Sequence, residues 1–229
     1  MLTRIVSELP EFFSYYNLLF LGQAALATVT LSAVGSILGC LAGLGVAVVR
    51  LTTSMWLMPL RVLAVIIIEL FRRIPFLVTL MLVFFTFQLS GFDLSLFVVA
   101  LIAVFLIASA YLSEIIRAGF ESVHRNQWDA AMAMNFSMLD TLRYVIVPQA
   151  LRVILPPAFG FFILFIKDTA LASQIGVIEL TFAGKVLNNK GFSAALVFGT
   201  LLMLYFLISY PLARLGRQLE LRLAQSRHR

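Results

Sequence analysis

Between Leu18 and Val49 the chain runs for 32 positions without a charged side chain. About 20 apolar residues suffice to cross the hydrocarbon core of a bilayer, so this stretch predicts a crossing helix that tilts or protrudes. A second apolar block, Trp56 to Leu89, is interrupted by Glu69, Arg72, Arg73 and Pro75. A third, Leu94 to Ser113, stops before Glu114 and Arg117, and a fourth, Val145 to Ile166, contains Arg152 and the Pro156-Pro157 pair. The last, Phe192 to Ala213, is the cleanest. Five blocks predict five crossings: an all-α integral membrane bundle, with residues 1–229 forming one transmembrane domain. Residues 1–17 contain Arg4, Glu8, Glu11 and Pro10, without the compact apolar core and small-residue cleavage site of a signal peptide. They read as an amphipathic lead-in at the membrane surface.

The polar interval 117–152 has its own period. Trp128, Met132, Phe136 and Leu139 recur at spacings of four, four and three, which predicts an amphipathic helix from Asn126. Asn135 tolerates the left-handed backbone that ends a helix, and Ser137 followed by Asp140 resembles a capping box opening a second one. Two short helices with a bend, closed by Pro148, are expected. Large Trp and Met side chains exposed on such a hairpin imply that something packs on them.

Composition agrees with a membrane chain: 62% of residues are hydrophobic and 12% charged, with a mean hydropathy of +1.02, whereas a soluble domain has about a quarter charged. The net charge of +6 is distributed by side. Two basic residues around Arg50 and Arg61, four from Arg117 to Arg152 and five in the tail 214–229 face one side, eleven in all, against Arg4, Lys167, Lys185 and Lys190 on the other. Cytoplasmic loops of membrane proteins are enriched in Lys and Arg, so the 117–152 loop and the tail are expected in the cytoplasm and the N-terminus outside. Nucleic acid is not needed to explain the charge. The single cysteine, Cys40, permits no intrachain disulfide and reads as a buried, inert thiol. Gly35, Gly39 and Gly43 recur every four positions, either a seam for close helix approach or chance in a Gly-rich span.

Charges at membrane depth are costly and are candidates for function. Glu69 stands i, i+3 from Arg72 and i, i+4 from Arg73, and Glu114 stands i, i+3 from Arg117, spacings that allow neutralising pairs on one helix face. Pro75 is expected to kink its helix, a place where a pathway opens. The segment "IKDTALASQ" brings Lys167, Asp168, Thr169, Ser173 and Gln174 to the outer end of an apolar block. These residues either reach the interface or line a path.

The loop "QWDAAMAMNFSMLDTLRYVIVPQALRVILPP" resembles the EAA loop of ATP-binding-cassette importer permeases, close to the GQ-W-EAA-x-ALG and LPQALR-x-x-LPP forms of the polar-amino-acid group. "ELFRRIPFLV", "AYLSEIIRAGFESV" and "FIKDTALASQIGVIEL" resemble further segments of that group, in the same order. The resemblance implies a type I importer fold and a coupling loop, with Gln127, Trp128, Asp129, Ala130, Ala131 and Asn135 meeting a separate cytoplasmic ATPase. It implies a dimer of such ATPases holding ATP and Mg, no cofactor in this chain, a second permease, an external solute-binding protein and a bacterial inner membrane. The chain lacks a G-x-x-x-x-G-K-[ST] phosphate loop, as expected of such a subunit. The resemblance also implies a substrate path touched by Gly160, Phe161, Lys167, Asp168 and Thr169, and Glu69 and Arg72 join them as charges at membrane depth. Departures from the pattern are Asp129 for Glu, Asn135 for Gly, Arg73 for Gly, Ala170 for Ser, and Gly160-Phe161 for Asn-Gln.

Two other classes fit less well. An ion-coupled carrier would use Glu69, Glu114 and Asp168 as ion sites, but five blocks without an inverted repeat speak against it. A membrane-embedded enzyme needs catalytic groups at matching depth, and both histidines, His124 and His228, fall in segments read as cytoplasmic.

Overall fold

The computed structural model describes residues 2–52 and 54–225; residues 226–229, with His228 and the end of the basic tail, lie outside the described residues. Every regular element among the described residues is helical: α1 (Leu2–Phe12), α2 (Tyr15–Leu51), α3 (Met58–Arg73), α4 (Phe76–Leu89), α5 (Leu96–Glu121), α6 (Arg125–Ala133), α7 (Met138–Asp140), α8 (Val147–Asp168), α9 (Leu180–Asn189) and α10 (Ala194–Gln225). A π-helical stretch, Thr141–Ile146, joins α7 to α8, and a 3-10 stretch, Thr169–Ile175, follows α8.

The glycine stripe of α2 is where that helix meets α5. A β-carbon built on Gly39 would lie 2.4 Å from the Ala108 Cβ, one on Gly35 2.3 Å from a Val104 methyl, and one on Gly43 2.8 Å from the Ser113 nitrogen. Without a side-chain layer the two backbones touch, as small residues permit in lipid. The contacts ascend together, 35 with 104, 39 with 108 and 43 with 113, so α2 and α5 run in the same direction. The chain between them must therefore cross back.

That return differs from the single block expected. Four segments, Tyr15–Leu51, Leu96–Glu121, Met138–Ile175 and Ala194–Leu223, are each long and apolar enough to cross alone. The return is made in two shorter pieces, α3 and α4. Proline disfavours helical geometry in the residue before it, and Ile74 is extended at φ −90°, ψ 134°. The kink expected at Pro75 is a complete break, with Pro75 capping α4.

The core lies between α4, α5 and α8, around Leu80, Val104, Ile107 and Phe165. At one end Phe12, Leu21, Leu180 and Val197 join α1, α2, α9 and α10. The lead-in is docked there: Phe12 is fully buried with its ring edge-on to Phe192 at 5.2 Å, the Ser193 backbone N–H donates to Glu8 at 2.7 Å, and Arg4 donates to the Gly191 carbonyl at 3.1 Å. At the opposite end Ala47, Ile116, Phe120, Leu142 and Ile146 gather α2, α5 and the α7–α8 junction, with α6 against them.

Candidate coupling surface and solute path

The helix α6 is built by its caps. The His124 Nδ1 accepts the Asn126 backbone N–H at 3.2 Å. At the other end the Phe136 N–H bonds the Ala131 carbonyl at 3.1 Å and the Asn135 N–H bonds the Met132 carbonyl at 2.9 Å, the paired bonds of a Schellman ending. Asn135 holds φ +60°, the one positive φ outside glycine among the described residues. The expected left-handed stop is thus present. Ser137 opens α7 by accepting the Asp140 N–H at 3.2 Å. The Asp140 carboxylate accepts the Ser137 hydroxyl proton instead of reaching back to the backbone, so half the capping box forms.

Pro148 does not close the loop. It stands in the first turn of α8, where its missing N–H and the clash of its ring with the carbonyl four residues back are accommodated by the wider π turn, the Val147 N–H bonding Leu142. From Met138 to Ile175 the chain is one helical run of 38 residues.

Exposure divides the residues expected to dock. Gln127, Asp129, Ala130 and Asn135 are exposed, but Ala131 is buried and Trp128 is half-buried against the cluster of Ala47, Phe120, Val123 and Leu142. The Gln127 side-chain oxygen accepts from Gln149 at 3.3 Å. Ala131 therefore ties the loop to the bundle instead of lying on its outer surface as expected, while Trp128 gives one face to the bundle and keeps the other open. Trp128 and Asp129 also line a cleft of about 750 Å³ with Leu51, His124 and Met132. The large apolar side chains facing outward are Met132 at 63% exposure, Met134 at 68%, Leu139 at 73% and, less so, Met138. Met132 and Leu139 belong to the stripe read from the sequence; Met134, off that stripe, was missed.

The path residues fall in two groups. Phe161 is buried in an aromatic column, stacked on Tyr111 at 5.5 Å and on Phe165 at 4.9 Å, with Phe76 edge-on to Phe165 at 5.2 Å. It packs α8 against α5 and α4 and faces no open space. Its neighbour Gly160 does: a β-carbon there would meet nothing within 4 Å. Gly160, Leu164 and Lys167 are all exposed, and their spacing of four and three puts them on one face of α8. Lys167 and Asp168 form no ion pair with each other among the described residues. Thr169 is buried, and its hydroxyl donates to Ile166 at 2.8 Å, ending the helix instead of facing a path.

Glu69 and Arg72 are brought to a different cluster. Arg73 bonds Glu69 at 2.7 Å, Arg72 stands 3.6 Å from Glu69 and 3.9 Å from Glu114, Arg50 bonds Glu114 at 2.8 Å, and Arg117 pairs with both Glu114 and Glu121. The expected neutralising pairs form and extend across α2, α3 and α5. Charges withdrawn from water persist when each has a partner of opposite sign, and neither Glu69 nor Glu114 remains as an unpaired ion site. The two groups touch through Tyr111, whose hydroxyl donates to the Arg72 carbonyl at 3.0 Å while its ring stacks on Phe161.

A helical membrane bundle with a short capped helix and bare apolar side chains at one end fits the permease subunit of an ABC importer. The chain belongs to the family described as binding-protein-dependent transport system inner membrane component, which matches residues 35–225. In this family ATP hydrolysis belongs to a separate nucleotide-binding subunit, and membership makes the chain a multi-pass inner-membrane protein. The chain is 32% identical to the probable glutamine ABC transporter permease protein GlnP of Bacillus subtilis (strain 168), over 92% of this chain and 96% of the relative. It is 35% identical to the L-cystine transport system permease protein TcyB of the same organism, over 86% and 83% of the two chains. A crystal structure described as an amino acid ABC transporter with histidines superposes with a TM-score of 0.83 at 27% identity, covering 95% of this chain and 98% of that one. An inward-facing MetNI methionine ABC transporter gives a TM-score of 0.78 at 21% identity over 92% and 99%, a likeness of fold.

Proposed function

We propose that this permease carries an amino acid or a closely related small polar solute across the inner membrane, received from an external solute-binding protein. Relatives over 30% identical named for glutamine and cystine support that solute class. A second permease, identical or homologous, completes the channel within the lipid, and a dimer of cytoplasmic ATPases supplies ATP and Mg. This chain needs no cofactor and binds no nucleic acid. Its eleven-to-four charge split supports an external N-terminus and a cytoplasmic C-terminus.

The observation that carries the reading is the surface at the tip of α6. Met132, Met134 and Leu139 stand uncovered around the left-handed turn at Asn135, with Asp129 on the same short helix. Flexible thioethers and an aliphatic chain suit a cleft that supplies the missing contacts. The test is co-purification with the cognate ATPase. Met132→Asp combined with Met134→Asp is expected to abolish capture and stimulated ATP hydrolysis while the permease remains folded; full capture by the double variant would refute the assignment.

A further inference from the structure

At the end of the bundle that bears α6, the last turn of α2, the first turns of α3 and the last turns of α5 form an open cavity of about 540 Å³ whose polar lining is Arg50, Arg61, Arg117 and Glu121. The rest of its wall is α3, through Met58, Val62, Val65 and Ile66, all exposed. Arg50 and Arg117 have carboxylate partners in Glu114 and Glu121. Arg61 has none among the described residues. Its guanidinium is fixed by the carbonyls of Thr52 at 2.6 Å and Ser54 at 3.3 Å, and its Nε is buried without a hydrogen-bond partner. With Arg50 and Arg117 matched by Glu114 and Glu121, Arg61 leaves the cavity with a net positive charge.

A second observation sets its depth. Trp56, in the turn that leads into α3, is 94% exposed, with Met55 beside it at 74%. Tryptophan next to an apolar helix concentrates at the level of lipid headgroups. The cations thus stand at headgroup level, while Val62, Val65 and Ile66 continue from them along the apolar wall. One and two turns back from Arg50 on α2, Val46 and Ala42 line a separate apolar cleft of about 280 Å³ with Leu63 and Ile67 of α3.

We propose that this cavity is a binding site for an anionic phospholipid, with Arg61 holding the phosphate and the acyl chains lying along α3. A guanidinium fork matches phosphate oxygens, and basic pockets between membrane helices hold anionic headgroups. A soluble phosphate presents the same oxygens, but an apolar wall below the cations gives it nothing to bury; the wall assigns the site to lipid. The assignment is independent of which solute is transported, since uptake and lipid retention are read separately.

The test is native mass spectrometry of the full purified chain with phosphatidylglycerol, phosphatidylcholine or inorganic phosphate. The chain is expected to retain one phosphatidylglycerol in preference to phosphatidylcholine, and Arg61→Gln to weaken retention about five-fold. Because Arg61 also braces the α2–α3 turn, Glu121→Gln serves as the second variant: removing the lining carboxylate should tighten retention, a gain that a loosened turn does not produce. Equal retention by Arg61→Gln and the unaltered chain, equal binding of phosphatidylcholine, or displacement of phosphatidylglycerol by inorganic phosphate overturns the proposal. So does disulfide cross-linking of Val62→Cys between two copies in the membrane, which would place a second permease over the cavity.

Discussion

Arg50 donates to Glu114 across 2.8 Å, joining two helices through residues 64 positions apart in the chain. Glu114 also receives Arg117 and lies 3.9 Å from Arg72, so one half-buried carboxylate balances cations from α2, α3 and α5. Removing it leaves Arg50 without a carboxylate and takes one of two partners from Arg72 and from Arg117. Glu114→Ala should lower stability by about 3 kcal/mol, and Glu114→Gln by less, because the amide still accepts a hydrogen bond. Thermal unfolding in detergent measures both; an unchanged midpoint for Glu114→Ala contradicts the balance described.

Gly39 tests the seam between α2 and α5. A side chain there has no room beside Ala108, so Gly39→Ile is expected to cost about 3 kcal/mol. Gly45, on the same helix with nothing within 4 Å of its β-carbon, is the control. Gly45→Ile should change the unfolding midpoint little, and equal losses at both positions would contradict the seam.

Glu8 gives the docked lead-in a pH dependence. The Ser193 backbone N–H and then Arg4 hold its carboxyl below the ordinary 4.5. A depressed folded value stabilises docking above the unfolded pKa and loses it as pH falls through the folded one. Protease nicking of α1 should therefore be slow at neutral pH and rise below about pH 4, while Glu8→Gln should nick at a pH-independent rate across that window. A wild-type rate flat from pH 7 to 3 is the contrary result.

Lys167 and Asp168 are proposed to meet the solute beside the open face at Gly160. They form no ion pair with each other, so each is available to the solute, and Lys167→Met and Asp168→Asn should each lower uptake at least about ten-fold, from the strength of charge-assisted bonds. Basal ATP hydrolysis and assembly should be retained. Uptake with native half-saturation and rate in both variants removes these residues from the path. Phe161→Gln, by contrast, should show its main effect as lost stability, since it leaves an amide in an aromatic column.

The sequence carried the fold where one physical constraint acted alone. Uninterrupted apolar length marked α2, α5 and α10, and Asn135 marked the end of α6 because few residues accept its backbone. It failed where partners came from distant segments. The spacing of Glu69 and Glu114 from their own arginines was legible, but Arg50 entering from α2 was not. Trp128 looked exposed because its period matched Met132; its burial depends on Phe120 and Leu142, which the fold brings beneath it. Arg61 gave no local signal, since its surroundings are backbone carbonyls and a cavity assembled from three helices.

The backbone contact between α2 and α5 also limits how the bundle moves. Helices separated by interleaved side chains can slip by changing rotamers, whereas two backbones pressed together at Gly35, Gly39 and Gly43 have no such layer to rearrange. The pair turns as a single strut. Any bend within the membrane is directed to the joint at Ile74 and Pro75, where helical geometry is already interrupted, and its range is set by the ties of α3 to α5 through Arg72 and Tyr111 and by the packing of α4 on α5.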